Sequence, residues 1–269
     1  MPSARTAVTF VVVFEVLMLV SFALEPDIFS HLAGRNRPAA EELADFNQTL
    51  SDGFSVRLYE DARPPNGKLA PLQKGAVLVH NGTETIGEGA GFGAPVLNYA
   101  GTTYYSLNAT TNRFRDGVAK NFSMDAIEVG ETYHKTFEPV APVGSVLVRY
   151  RYLEDGLKIE VSLGGIPANS TLYILNEQAG TVYTRYKNSD SENLTVDFSW
   201  RQINASANYL LDRDGKGFRI DRQAVPDGST LYLGREIRPE GFDWAGLDIA
   251  LNMTSTKAAA YRYEVRITG

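Results

Sequence analysis

Short runs in which apolar and polar residues alternate fill the chain from Gly75 onward, and helical periodicity is nearly absent there. Successive side chains of a β-strand point to opposite faces, so this two-residue period predicts strands with one buried face. The predicted strands span residues 76–80, 95–99, 103–107, 118–122, 126–129, 145–153, 157–163, 171–176, 182–187, 194–200, 209–212, 217–221, 230–233, 247–252 and 261–267. The predicted fold class is therefore all-β, with a large antiparallel β-sandwich.

The clearest pair of strands lies at residues 145–163, on either side of an Asp-Gly turn. Val148 and Tyr150 alternate with Arg149 and Arg151, so the two pairs are predicted to lie on opposite faces. Glu160, on the second strand, is predicted to form an ion pair with Arg149 or Arg151 across the hairpin.

An apolar run of eighteen residues, 7–24, lies near the amino end. As a helix it would rise about 27 Å, close to the thickness of a bilayer's hydrocarbon core. Arg5 precedes the run and acidic residues follow it, so the positive-inside rule places the remainder of the chain outside. Residues 21–23 also fit a signal-peptidase site. Two interpretations stay open: a single-pass cell-membrane anchor with an extracellular carboxyl-terminal domain, and secretion after cleavage near Ala23.

The predicted organisation has three parts. Residues 1–24 form the anchor or signal peptide, and residues 75–269 form the extracellular β-sandwich domain. Between them, residues 25–74 form a connector with a first strand at 54–59. Leu43, Phe46 and Leu50 recur at helical spacing, so a short helix is predicted at 39–50.

Asparagines in the glycosylation pattern Asn-x-Ser/Thr, here called sequons, account for eight of the fifteen asparagines. Chance would place roughly two of them in this pattern. The predicted glycosylation sites are Asn47, Asn81, Asn108, Asn121, Asn169, Asn193, Asn204 and Asn252. A glycan cannot be buried, so each modified asparagine is expected at the surface.

Charge and cysteine content exclude several functions. A net charge of -6 gives no basic footprint, so no nucleic-acid partner is expected. The absence of cysteine excludes thiol nucleophiles and Cys-ligated metals. Together with the dense sequons it indicates an archaeal cell surface rather than a eukaryotic secretory pathway, where cysteine frameworks are common. Acidic residues alternate with other residues at the start of segment 212–217, but this segment is predicted to be a hairpin turn. Neither a metal nor another cofactor is therefore predicted.

The hairpin with its Glu-Asp-Gly turn, together with the segments TLYILNEQ and FDWAGLDIALN, resembles the galactose-mutarotase-like supersandwich proteins. The resemblance covers residues 72–269 and implies a large antiparallel sandwich with a carbohydrate-facing groove. The Asn-His-x-Tyr-Phe motif of the sugar epimerases is absent around both His80 and His134. The residues expected to line a groove are Glu84, Glu88, His134, Glu177, Asp243 and Trp244, with Trp244 as an exposed platform for a sugar ring.

The function expected from these observations is a membrane-anchored, N-glycosylated cell-surface protein that is non-catalytic and serves surface assembly or recognition. Its expected partners are the membrane, through residues 7–24, N-linked glycans, and a second copy or another surface protein. Strands 54–59 and 261–267 are predicted to pair with such a copy. The alternative is a carbohydrate-binding or carbohydrate-active protein, such as a mutarotase-like enzyme, lyase or hydrolase, with acids drawn from a wider set that includes Asp248.

Overall fold

The computed structural model describes residues 46–58, 73–114, 117–128, 138–140, 143–222, 225, 227–238, 242–253 and 260–269. These residues belong to one compact unit, Glu42–Gly269. The predicted membrane segment 7–24 and His134 lie outside the described residues. Within the described ranges, no helix combines the length and the apolar character needed to cross a bilayer.

The strands of the described residues all pair in antiparallel fashion, as the alternation predicted. They are β1 Phe46–Thr49, β2 Phe54–Leu58, β3 Val77–His80, β4 Thr83–Glu84, β5 Gly91–Tyr99, β6 Thr102–Phe114, β7 Gly117–Glu128, β8 Glu138–Val140, β9 Ser145–Leu153, β10 Gly156–Gly164, β11 Ser170–Gln178, β12 Arg185–Lys187, β13 Ser191–Asn193, β14 Phe198–Ile203, β15 Ala207–Leu211, β16 Gly217–Asp221, β17 Thr230–Arg238, β18 Phe242–Met253 and β19 Ala260–Thr268.

These strands form two sheets. The small sheet has the order β1-β2-β3-β4. The large sheet has the order β13-β12-β15-β16-β19-β10-β9-β7-β6-β5-β11-β18-β17-β14, and β8 pairs with β7 beside this path.

The large sheet folds over on itself, so that its two halves face each other across the core. In the sheet order, five strands separate β19 from β11. Even so, the Tyr263 hydroxyl of β19 donates a hydrogen bond to Asn176 Oδ1 of β11, at 2.7 Å. The rings of Phe92 on β5 and Phe218 on β16 meet edge to face at 4.9 Å. These contacts make the fold a β-sandwich, with the apolar side of each half turned inward.

The hairpin of β9 and β10 confirms the predicted alternation. Val148 and Tyr150 are fully buried, whereas Arg151 is exposed and Arg149 is half-buried. Glu160 lies opposite Arg149 and forms the predicted ion pair with it, at 3.4 Å. A second ion pair joins Glu160 to Arg262 of β19, at 2.7 Å.

The predicted helix at 39–50 is wrong for its described part. Phe46–Thr49 is strand β1, and it pairs with β2 in the register Phe46↔Leu58. Residues 39–45 lie outside the described residues. A helical spacing of three apolar residues is a weak local signal, and pairing with a neighbouring strand overrides it.

The two strands predicted to pair with another copy are not end strands. β2 lies between β1 and β3, and β19 lies between β16 and β10. Both have a neighbour on each side, so the prediction is wrong for these two strands. Self-association through another surface remains a prediction.

Candidate functional site

Three acidic side chains share one outer face of strands β11, β18 and β17, and we call Glu177, Glu236 and Asp248 the acidic cluster. Glu177 lies opposite Gly246 in the register of β11 and β18, and Glu236 lies opposite Trp244 in the register of β18 and β17. Asp248 follows Gly246 by two residues along the same strand, so it points to the same face. Side chains at the intervening positions of β18 point into the core.

Gly246 lies between two members of the acidic cluster. A Cβ atom at this position would lie 2.7 Å from Glu177 Cγ and 3.0 Å from each carboxylate oxygen of Asp248. Both acids therefore approach the same point on β18, and a strand glycine leaves room for them. Both are also buried, with Glu177 at 5% and Asp248 at 0% exposure. The site is a sealed pair of carboxyl groups.

Burial changes the protonation of this pair. Desolvation raises the pKa of Glu177 to about 7, against a hydrogen bond from the Ala90 N–H and the attraction of Lys74. Desolvation also raises the pKa of Asp248 well above its usual range, and the neighbouring Glu177 adds to the rise. Two carboxylates that are close together in a low-dielectric site cannot easily ionise together. The pair therefore retains a proton near neutral pH.

Asp248 and Asn176 replace backbone hydrogen bonds that the sheet loses at an irregularity. The register of β11 with β5 shifts between Leu175 and Asn176, which leaves Gly93 as an extra residue. Asn176 Oδ1 accepts the Gly93 N–H at 3.3 Å, and Asp248 Oδ1 accepts the Asn176 N–H at 2.7 Å. Gly93 has a φ of 82°, which suits the glycine of a β-bulge.

The glycine-rich segment, residues 87–93, packs against Glu177 of the acidic cluster and against Asp243. A Cβ atom at Gly89 would lie 2.8 Å from the Glu177 backbone carbon, and one at Gly87 would lie 2.4 Å from the Asp243 carbonyl oxygen. The Ala90 N–H donates to Glu177 Oε2 at 3.0 Å. Glycine has no Cβ, so these residues can approach the neighbouring backbone this closely.

Lys74 joins the glycine-rich segment to the acidic cluster. Its ammonium group is buried and donates to the carbonyl oxygens of Gly89 and, at 3.1 Å, Glu88. Burial lowers the pKa of Lys74 to about 8, although Glu88 and Glu177 oppose this by attraction. Lys120 in turn donates to the Lys74 carbonyl oxygen at 2.7 Å. The ammonium groups of Lys74 and Lys120 therefore hold backbone carbonyl groups in place.

Aromatic side chains extend the same face beyond the acids. Trp200 of β14 stacks on Tyr232 of β17 with ring centroids 5.1 Å apart, and both rings are half-exposed. Trp244 is 2% exposed, and its Nε1–H donates to Glu236 Oε2 at 3.2 Å. The prediction that Trp244 is an exposed platform is therefore wrong, because its ring packs beneath Trp200 over Gly234.

The structure brings three of the predicted groove residues together. The Glu88 N–H donates to the Asp243 carbonyl oxygen at 2.8 Å, and Lys74 lies between Glu88 and Glu177. Asp243 also accepts the N–H and the hydroxyl of Thr181, each at 2.7 Å. Glu84 instead forms an ion pair with Arg57 of the small sheet, at 2.7 Å. The carboxylates of Glu84 and Asp243 therefore take part in structural contacts, and the Glu88 carboxylate attracts Lys74.

The groove prediction missed Lys74, Glu236 and Asp248. Asp248 interrupts the apolar run of β18, and a charged residue in such a run was the available signal. Its partner on β11 is distant in sequence, so the sequence gives no distance between the two acids.

Within the described residues, no group of three or more His, Cys, Asp or Glu is arranged to hold a metal ion. Asp212, in the predicted turn at residues 212–217, closes the β15–β16 hairpin by accepting hydrogen bonds from the N–H groups of Asp214 and Lys216.

Every sequon asparagine whose side chain the structure describes is exposed. These asparagines are Asn81, Asn121, Asn169, Asn193, Asn204 and Asn252. The side chains of Asn47 and Asn108 are not described. By contrast, Asn176 and Asn208 lie outside sequons and are fully buried.

Comparison with known proteins gives similarity of structure only. No family model and no curated protein matches the chain. A 4-alpha-glucanotransferase from Thermococcus litoralis has a TM-score of 0.49 and 11% identity over 85% of this chain, which spans 38% of the enzyme's length. The Slr1438 protein from Synechocystis sp. PCC 6803 has a TM-score of 0.43 and 12% identity, over 87% of this chain and 99% of its own. A proposed aldose 1-epimerase from Escherichia coli K12 has a TM-score of 0.38 and 10% identity, over 84% of this chain and 99% of its own. The activities in these names belong to those proteins.

Proposed function

We propose that this chain is an exported, N-glycosylated cell-surface protein whose β-sandwich serves surface assembly or recognition rather than catalysis. The observation that carries the proposal is the exposure of the six sequon asparagines whose side chains are described. An acceptor asparagine must lie at the surface to hold a glycan. Residues 7–24 would tether the domain to the membrane, or direct its secretion if cleaved near Ala23.

The positions of the sequons on the sandwich support this proposal. Asn121 lies on β7 and Asn252 on β18, and three strands of the large sheet separate these two strands. Both side chains are exposed, so glycans at these sites would cover separate parts of the outer surface. The uncovered edges and loops would be left for contacts with other proteins.

The sealed acidic cluster supports a non-catalytic role. A general acid or base must come within hydrogen-bond reach of its substrate. Glu177 and Asp248 are buried instead, and both accept backbone N–H groups. A sugar would have to displace the glycine-rich segment to reach Glu177.

Glycopeptide and intact-mass spectrometry of protein purified from its native host tests the proposal. We expect glycans on most of the eight sequons, and none on Asn112, which is exposed but lies outside a sequon. A membrane-impermeant protease added to whole cells should also degrade the sandwich. Unmodified asparagine at all eight positions, with the domain protected in intact cells, would overturn the proposal.

A second candidate is carbohydrate binding on the outer face that carries the acidic cluster. The half-exposed stack of Trp200 on Tyr232 favours it, because apolar ring faces of this kind pack against sugar rings. A glycan array probed with the full chain and with Trp200→Ala tests this candidate. Tyr261→Ala, a half-exposed ring on β19, serves as control. Signals lost only in Trp200→Ala would support sugar binding, and an array without signal would exclude it.

A further inference from the structure

The end strands of both sheets coincide with sequons. In the large sheet, β13 ends at Asn193, and β14 ends at the residue before Asn204. In the small sheet, β1 contains Asn47, and β4 begins at Thr83, the third residue of the Asn81 sequon. The other four sequons lie in or beside interior strands of the large sheet. Within the described residues, each sheet end therefore has its own acceptor asparagine.

End strands matter because they present unpaired N–H and C=O groups to other chains. Such edges promote association between copies unless something blocks them. β13 pairs with β12 and β14 pairs with β17, with no further strand beside either in the described part of the chain. The protein has no cysteine, so disulfides cannot restrain these edges.

The two ends of the large sheet approach each other without forming a backbone ladder, and we call the space between them the seam. Arg201 of β14 forms an ion pair with Glu192 of β13. The Arg201 guanidinium also lies over the Tyr186 ring of β12, 5.5 Å from its centroid. Side chains, rather than backbone hydrogen bonds, join the two ends.

The seam contains a cleft of about 390 Å³, and Asn204 is one of its lining residues. This volume lies within the roughly 300–1,000 Å³ range of small-ligand sites. Asn188, Asp190, Glu192 and Arg201 supply donors and acceptors around it, and the buried Tyr186 ring lies beneath Arg201 at its base. Those groups match the hydroxyls and the apolar faces of a sugar.

An exposed apolar residue lies on the loop that joins the two end strands. Val196, three residues after Asn193, is 51% exposed, and among the described residues it is the large hydrophobic side chain that stands out at the surface. An apolar side chain beside two open strand edges is a site for association between copies.

We propose that glycans on Asn193 and Asn204 close the seam and keep this protein from pairing edge to edge with a second copy. The first sugars on Asn204 occupy the cleft against Arg201, Asn188 and Asp190. The glycan on Asn193 covers Val196 and the free side of β13. This inference rests on the proposed function, since it requires glycans on these two asparagines.

The test compares two double variants of the full chain, produced in the native host. Asn193→Gln with Asn204→Gln removes the seam glycans, whereas Asn121→Gln with Asn252→Gln removes two glycans from interior strands. Light scattering after size exclusion should show a roughly twofold or larger rise in molar mass for the seam variant, because paired edges give dimers or fibres. The interior variant should match the wild type. Equal molar masses for the two variants would overturn the inference.

Further variants separate glycan loss from other causes. Thr195→Ala with Ser206→Ala removes the same two sequons but keeps both asparagines, and it should associate like the seam variant. Adding Val196→Lys to the seam variant should restore the wild-type molar mass, because a charge blocks edge pairing.

Glycopeptide spectra of the wild type distinguish the two proposals. If Asn193 and Asn204 are bare while other sequons carry glycans, only this inference fails; if all eight are bare, the proposed function fails as well.

Discussion

Replacing Glu177 by glutamine should remove a pH dependence from the stability of the sandwich. Glutamine has nearly the same shape as glutamate, and its carbonyl oxygen can still accept the Ala90 N–H that Glu177 accepts at 3.0 Å. It carries no charge at any pH. The substitution therefore tests the cost of ionising residue 177 inside the buried pair, with little change in packing.

The magnitude follows from the pKa of Glu177. Burial raises this pKa from 4.5 to about 7, so the folded state holds the proton more tightly than the unfolded state. The corresponding stability is fully present below about pH 4.5 and is lost as the pH rises through about 7. At about 1.36 kcal/mol per unit of pKa, the loss is on the order of 3 kcal/mol. For a domain of this size, that lowers Tm by roughly 6–12 °C.

Urea unfolding, followed by tryptophan fluorescence between about pH 5 and about pH 8, measures the effect. Wild type should lose stability across this range, while Glu177→Gln should start level with it and end on the order of 3 kcal/mol more stable. Lys74 remains protonated over most of this range and is about half protonated at its upper end, because its pKa is about 8. Glu160→Gln is the control, since Glu160 is a half-buried surface carboxylate paired with Arg149 and Arg262. A constant difference between wild type and Glu177→Gln at all pH values would refute the reasoning.

Three further substitutions test the packing around the site and one predicted turn. Gly246→Ala should cost about 1–3 kcal/mol in thermal unfolding, because its methyl group would lie 2.7 Å from Glu177 Cγ in a buried site. Ala at exposed Gly164 should cost little, because its close neighbour, Ser145 Oγ at 2.8 Å, can rotate away. Lys74→Met should move the titration of Glu177, followed by carboxyl-carbon NMR, above about pH 7, because it removes the attraction that lowers this pKa. Asp212→Ala should lower the free energy of unfolding by about 1–2 kcal/mol, and Asp212→Asn by less, because asparagine keeps an acceptor for the two turn N–H groups.

Local alternation was enough to predict the strands whose partners are near in sequence. β9 and β10 were predicted within a residue of their bounds, because a tight turn joins them and their apolar residues recur every second position. The same argument failed at Phe46–Thr49, where apolar spacing indicated a helix. There the deciding interaction is a ladder with β2, and a short apolar pattern does not encode it.

The candidate site was less predictable because it depends on strand order. Glu177 and Asp248 are seventy-one residues apart, and only the pairing of β11 with β18 brings them to the same glycine. Trp244 looked exposed because it sits between Asp243 and glycine in the sequence. The Trp200 ring packs against it, and Trp200 lies on β14, which is separated from β18 by β17. The sheet order, which places β13 and β14 at opposite ends, is likewise non-local.

The hydrogen bonds of Glu177, Lys74 and Asp248 indicate whether these buried side chains have a structural or a catalytic role. Glu177 accepts a backbone N–H from Ala90, and Lys74 donates to backbone carbonyls of the glycine-rich segment. Asp248 Oδ1 accepts the Asn176 N–H at the bulge, while Asp248 Oδ2 has no hydrogen-bond partner among the described residues. Buried charges that satisfy backbone groups hold a strand irregularity in place, which explains their presence without a substrate. Asp248 Oδ2 is buried, so chemistry at this oxygen would require the side chains around it to move first.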